Sequence, residues 1–266
     1  MSPLTTIQEV DFSKSEQYTL SIRINTDGFS FSIFNPSAEN PYIFFDLPID
    51  TKLPLIANFK NLVAHNPFLS QLYKRVNIII ANTRTVVHPA AYFEEEQKEL
   101  LYEFSQKTSH PNIYIDYNLL EHKKIVVIFG VNKTLYHFLS EHFNQPRFFA
   151  QDTPLLAYFA QKSKEGTSKK LFVHLENKNL HVFCFNKGKL QLTNTFKAEE
   201  VGNQIYYILY IWKQMGYSQK EDQLILSGQV TDKDTLVELI RKYILAVSIE
   251  QSPQYLDLKA MNLCEL

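Results

Sequence analysis

Glycine is scarce in this chain: seven of 266 residues, under 3%, against a usual ~7%. Loops that cradle a phosphate are built from glycine, because the backbone must approach the anion closely in torsions that other residues resist. The shortage counts against nucleotide chemistry. Cysteine is scarcer, with Cys184 and Cys264 standing 80 positions apart, so neither a disulfide framework nor a zinc site is expected. No uninterrupted apolar run approaches the ~20 residues that a membrane helix needs. The opening "MSPLTTIQEVDFSKSEQ" lacks a basic segment followed by an apolar one. The expectation is a cytoplasmic protein without membrane insertion. Excess charge is missing as well, with 27 Lys and Arg against 28 Asp and Glu. Without a bulk field to attract phosphate backbones or anionic lipid, nucleic acid is not an expected partner. Glycine-rich Walker loops, Gly-x-Ser-x-Gly elbows and paired-histidine zinc helices do not occur. His137 and His142 share a helical stretch but are five positions apart, which points them to different faces.

What is present is apolar material for sizeable cores. Hydrophobic residues make up 45% of the chain, including 20 Phe and 15 Tyr, enough for one large domain or two ordinary ones. The first seventeen residues are polar and read as frayed or loosely docked. "YTLSIRINTDGFSFSIFN" alternates as a hairpin, with Asp27-Gly28 as the positive-φ turn pairing Thr26 with Phe29, Ile24 with Phe31 and Ile22 with Ile33. "PYIFFDLP" adds a third strand, a helix is expected over 55–73, and "VNIIIA" reads as a buried strand. "TRTVVHPAAYF" reads as an edge strand because Pro89 cannot sit in a central ladder. The following "EEEQKELLYEFSQK" reads as a helix with its glutamates in the first turn.

Two strands follow, "NIYIDYNL" and "KIVVIFGV", then a helix capped by Asn132 that presents Leu135, Phe138 and Leu139 on one side. A short strand, "PRFFAQ", and a helix, "DTPLLAYFAQ", lead to 162–170, the only stretch with the composition of a linker. Beyond it "KLFVHLENKNLHVFCFNKGKLQL" alternates through two turns as a three-stranded meander, with strands at about 171–176, 179–185 and 189–196. If Asn177-Lys178 is a two-residue turn, His174 pairs with His181 and Leu175 with Leu180. Glu176 then lies on the histidine face, within plausible metal-ligand reach, although a plain polar face explains the pattern as well. A helix over 198–215 with Ile205, Ile208, Leu209 and Trp212 on one face, the strand "DQLILSG", the helix "DKDTLVELIRKYI" and the strand "AVSIEQ" complete the order.

Three antiparallel strands, helix, strand, helix, strand is the order of the ribonuclease H-like unit, and the first part of the chain begins the same way. The protein therefore reads as α/β with mixed sheets, a duplicated unit in two lobes. The first is expected over 1–166 with an insertion at about 82–122, the second over 167–266. This arrangement resembles the actin, sugar kinase and heat-shock ATPase superfamily. From Lys124 onward, "KIVVIFGVNKTLYHFLSEHFNQPRFFAQDTPLLAYFAQ" is similar to the pilus-assembly and cell-division branch of bacterial actin-like proteins. The whole chain resembles a bacterial domain-of-unknown-function family, number 3822.

The resemblance implies where ATP and magnesium would bind. The superfamily's first phosphate loop has an acid, a spacer, glycine and a hydroxyl residue. Here the corresponding stretch is Asn25-Thr26-Asp27-Gly28-Phe29, with the acid either replaced by Asn25 or displaced to Asp27. The second loop keeps Glu176 but continues Asn177-Lys178-Asn179 without glycine. The adenosine motif survives as Leu226-Ser227-Gly228, with Gln229 where a second glycine is usual. Two readings follow. The first is a non-catalytic scaffold that binds another protein or itself, with Asn25, Asp27, Gly28, Glu176, Asn177, Ser227 and Gly228 the remains of a nucleotide site. The alternative is a divergent ATPase using Asp27 or Glu176 to position metal and water.

Overall fold

A computed structural model describes residues 10–26, 28–81, 84–106, 111–120, 124–176, 178–229, 233–250 and 253–264. The chain forms two compact units, 1–153 and 154–266.

In the first unit, β1 (Thr19–Asn25), β2 (Gly28–Phe34) and β3 (Tyr42–Pro48) form an antiparallel meander. After α1 (Leu55–His65), β4 (Arg75–Ile80) adds parallel to β1. One face of the sheet is apolar, with Leu20, Ile22, Ile24, Phe29, Phe31 and Ile33 all buried. Phe59 of α1 meets Phe29 edge-on at 5.2 Å, and Phe68 meets Phe31 at 5.7 Å and Phe45 at 5.4 Å. The opposite face carries Ser21, Arg23, Ser30, Ser32 and Asn77, all buried too. Residues 12–17 form a 3₁₀ helix capped by the Asp11 carboxylate, and Phe12 stacks on Phe68 at 6.2 Å, so this stretch is docked rather than frayed.

Two local expectations are corrected. The first hairpin closes with Asn25 opposite Gly28, Ile24 opposite Phe29 and Ile22 opposite Phe31. Its loop is therefore 26–27, and Gly28 is a strand residue that lacks a positive φ. The two registers differ by two residues, so both put the same side chains on the core face and alternation alone cannot choose between them. In the observed register Phe29 lies between Ile24 and Leu47 and meets Phe59 edge-on. Asp27 itself lies outside the described residues. The helix expected over 55–73 stops at His65 and resumes as a 3₁₀ turn over Pro67–Ser70. Pro67 forces Asn66 out of the helical region, to φ −127° and ψ 94°.

A separate three-stranded sheet follows, formed by β5 (Thr85–Pro89), β6 (Ile113–Leu120) and β7 (Ile125–Asn132) in the order β5-β7-β6. Pro89 closes the edge strand. Because β7 is the middle strand, the inserted sheet reaches Asn132, past the limit of 122 drawn from sequence. Helix α2 (Lys98–Gln106) packs on it through buried Tyr102, with Ile115, Val126 and Ile128 beneath. Gly130 of β7 makes room for this packing, since a Cβ there would lie 2.7 Å from the Tyr102 hydroxyl. The glutamates expected in the first helical turn instead precede it, with Glu95–Gln97 a 3₁₀ turn.

Helix α3 (Lys133–His142) starts at Asn132, whose side chain accepts from the Leu135 amide at 3.1 Å, and β8 (Arg147–Ala150) then joins β4 in parallel. Asn118 of β6 ties the inserted sheet to β8. Asn118 Nδ2 donates to the Phe148 carbonyl at 2.8 Å, while its Oδ1 accepts from the Ala150 amide at 2.9 Å and the Thr153 hydroxyl at 2.7 Å.

The second unit repeats the main sheet. After α4 (Asp152–Lys162) come β9 (Lys170–Glu176), β10 (Asn179–Asn186), β11 (Lys189–Lys197), α5 (Val201–Gln214), β12 (Gln223–Gly228), α6 (Lys233–Arg241), β13 (Ala246–Ile249) and α7 (Leu256–Ala260). Strand order is β3-β2-β1-β4-β8 in the first sheet and β11-β10-β9-β12-β13 in the second. Each has three antiparallel strands and two parallel ones in matching positions. The turn at Lys187-Gly188 has positive φ at both residues, 49° and 83°, as a type I′ turn requires. One face of the sheet packs Val173, Val182 and Leu226 against Ile208 and Trp212 of α5 and Leu236 of α6. On the other, Phe159 of α4 stacks on Phe172 at 4.5 Å and meets Phe183 at 5.2 Å. Helix α4 ends the first repeat by element order yet packs in the second unit, which is why compactness divides the chain before it and composition after it. The stretch 162–170 is held down, with the buried Lys170 ammonium donating to the carbonyls of Lys162 (2.9 Å) and Glu165 (2.5 Å).

Candidate functional site

The matching registers make the two hairpin tips equivalent. Asn25 ends β1 opposite Gly28, and Glu176 ends β9 opposite Asn179, each across a two-residue loop. The parallel neighbours also correspond, Arg23 with Ile79 and Ile24 with Ile80 in the first sheet, His174 with Ser227 and Leu175 with Gly228 in the second. Asn25, Glu176, Ser227 and Gly228 thus lie at strand ends, as does Gly28, which the sequence reading puts in the turn, while Asp27 and Asn177 lie outside the described residues.

The chemistry at these positions is local. The Asn25 side-chain oxygen Oδ1 accepts from the Thr26 amide at 2.6 Å and from its hydroxyl at 3.2 Å, an Asx interaction that shapes the hairpin. Lys178 pairs with Glu199, and its carbonyl accepts from the Ala198 amide at 2.7 Å. His174 and His181 face each other across β9 and β10, with Leu175 opposite Leu180, as the alternation predicts. Their ring centroids are 6.3 Å apart. Both rings are buried, at 1% and 2% exposure.

Sequence reasoning missed what holds these rings. Ser227, itself fully buried, donates its hydroxyl proton to the Val173 carbonyl at 3.2 Å, which leaves His174 Nδ1–H as the donor to Ser227 Oγ at 3.0 Å. His181 Nδ1 meets the Thr195 hydroxyl at 3.1 Å. Thr195 could have been found from the meander, where it lies opposite His181. Ser227 could not, because parallel pairing across a long crossover leaves no local signal. Among the described residues no group of three or more His, Cys, Asp or Glu side chains is placed to hold a metal ion.

Gly228 has a structural explanation. Its φ is 82°, and a Cβ would fall against the Leu175 carbonyl oxygen and within 2.9 Å of the Leu175 carbon and nitrogen. The Gln229 amide donates to that same carbonyl at 2.6 Å. At these positions the Asn25 side-chain oxygen is bonded to Thr26, the Ser227 hydroxyl is buried and hydrogen-bonded, and the Gly228 backbone lies against β9.

The fold defines the class first: two ribonuclease H-like units in sequence, the actin-like ATPase fold. The crystal structure of a protein with this fold and unknown function from Bacteroides thetaiotaomicron is similar, with 43% identity and a TM-score of 0.89 over 95% of this chain and 98% of that one. A type IV pilus biogenesis complex, PilM-PilN, shares the fold at 9% identity and a TM-score of 0.54, covering 93% of this chain and 97% of that one. No curated protein matches. The chain belongs to the family described as protein of unknown function (DUF3822), whose model matches residues 7–247. No helix among the described residues is long and apolar enough to cross a membrane.

Proposed function

We propose that this protein is a non-catalytic actin-like scaffold that binds another protein or itself in the cytoplasm, with Asn25, Asp27, Gly28, Glu176, Asn177, Ser227 and Gly228 the remains of a nucleotide site that no longer takes ATP and magnesium. The observation that carries this reading is the use of Ser227 and Gly228 to close β12 against β9. A purine pocket needs free hydroxyl and open backbone at that point, and here both are taken. Support for a binding role comes from the fold relatives, which include a two-protein pilus complex, although fold by itself does not fix function. The test is whether magnesium-ATP raises the melting temperature of the purified protein; the scaffold reading expects no saturable rise.

A further inference from the structure

The second sheet ends on β11, and among the described residues no strand pairs beyond it. The register tells which main-chain groups of β11 face that open edge. A two-residue loop closes on a hydrogen-bonded pair, here Glu176 and Asn179. In β10, Asn179 and His181 therefore turn their main-chain groups to β9, while Leu180 and Val182 turn theirs to β11, opposite Phe196 and Asn194. Thr193, Thr195 and Lys197 are left aiming amides and carbonyls outward, and the Thr195 amide donates to the neighbouring Asn194 Oδ1 at 2.8 Å. Nearer the hairpin a bulge at Gln191 interrupts the ladder, so the regular edge is 192–197. One flank of α5 runs beside it. Phe196 stacks on Tyr207 at 4.4 Å, and helical spacing puts Asn203, Tyr210 and Gln214 on the Tyr207 side, with Lys213 facing outward. Tyr210 is 46% exposed. Neither 192–196 nor this flank of the helix carries a charge.

We propose that β11 pairs antiparallel with β11 of a second copy of this chain across a two-fold axis at Thr195, joining the two sheets edge to edge. Outward groups meet outward groups, which sets Thr195 opposite itself and Thr193 opposite Lys197. Self-complementarity selects this occupant. The open main-chain groups of an edge match another strand, for which the Asn194 side chain gives way. Between 186 and 214 the charged residues are Lys187, Lys189, Lys197, Glu199, Glu200 and Lys213, and the next two, Lys220 and Glu221, offset each other. In this register Lys197 faces a threonine rather than another lysine. The end with Lys187 and Lys189, where Lys164 lies over Gly188, runs toward the end of the second copy that bears Glu200. The other acids at these ends are already paired, Glu165 with Lys162 at 3.5 Å and Glu199 with Lys178. The same axis turns the uncharged flank of α5 toward its own counterpart. The inference deepens the scaffold reading by naming the chain itself as the partner, and it rests on that reading.

The test is sedimentation equilibrium of the full chain from about 1 to about 100 μM, the range in which a modest protein interface assembles. A monomer–dimer equilibrium is expected. Thr193→Pro removes an outward amide at an edge, where proline leaves the bonds to β10 intact, and should weaken the dimer by about tenfold or more. Tyr210→Glu sets like charges against each other across the axis and should weaken it as much. A cooperative melt shows that each variant folds, and Tyr210→Glu carries the test alone if Thr193→Pro does not. Amide exchange then reads the register: Thr193 and Thr195 should slow as the protein concentration rises, whereas Asn194 and Phe196, already bonded to β10, should not change. The proposal is overturned if the chain stays monomeric at about 100 μM or if a folded variant dimerises as the parent does. It is overturned equally by a dimer in which Thr193 and Thr195 exchange as fast as in the monomer. A monomer that also shows no ATP-induced shift leaves the scaffold reading standing with a different partner. An ATP-induced shift alongside the dimer removes only the non-nucleotide part of that reading.

Discussion

Gly228 lies so close to Leu175 across the β9–β12 pair that any side chain at 228 would meet the Leu175 backbone. The position also has φ 82°, a region that disfavours every residue with a Cβ. Gly228→Ala should therefore cost about 3 kcal/mol from backbone strain and overpacking together, lowering the melting temperature by about 6 °C or more. An unchanged melt would mean that the strand can give way and that the glycine serves something other than sheet closure.

Asn118 stands in for a strand partner along β8, binding the Phe148 carbonyl and the Ala150 amide with one side chain. Asn118→Ala should leave both main-chain groups without that partner and cost about 2–3 kcal/mol. Amide exchange at Ala150 should accelerate while exchange in the second sheet stays unchanged. If Ala150 remains as protected as in the parent, the inserted sheet is held by something else.

Cys184 is buried in β10, and burial pushes its thiol up to about 12. In the unfolded chain the same thiol titrates near ~8.5. Below that value both states keep the proton. Above it the unfolded chain releases its proton and the native chain does not, so stability falls as pH rises from ~8.5 to 12. Urea midpoints measured at about pH 8 and pH 10 should drop for the parent, and by less for Cys184→Ala. Parallel drops in the two proteins would show that Cys184 does not contribute.

Much of this was legible in the sequence where the signal is local. The β9–β10 register follows from the length of the Asn177-Lys178 loop and the strict alternation around it, and it set His174 opposite His181. The β1–β2 register did not follow, because a two-residue slide preserves the faces and alternation cannot tell one choice from the other. Pro67 was a local stop signal for α1 that the apolar run around it obscured. Membership of β7 in the inserted sheet, and the use of Ser227 by His174, depend on pairings between distant segments. Sequence order shows that Ser227 and Gly228 lie at a strand end, but not that sheet closure occupies them.

The central claim is that the old nucleotide positions serve only the fold. The direct measurement is thermal unfolding of the purified chain across a magnesium-ATP titration. A ligand at a hundred times its dissociation constant stabilises by about 2.7 kcal/mol, which for a protein of this size raises the melting temperature by about 5–10 °C. The account predicts no saturable rise up to millimolar magnesium-ATP. A saturable rise of several degrees that Asp27→Ala or Glu176→Ala abolishes would contradict it.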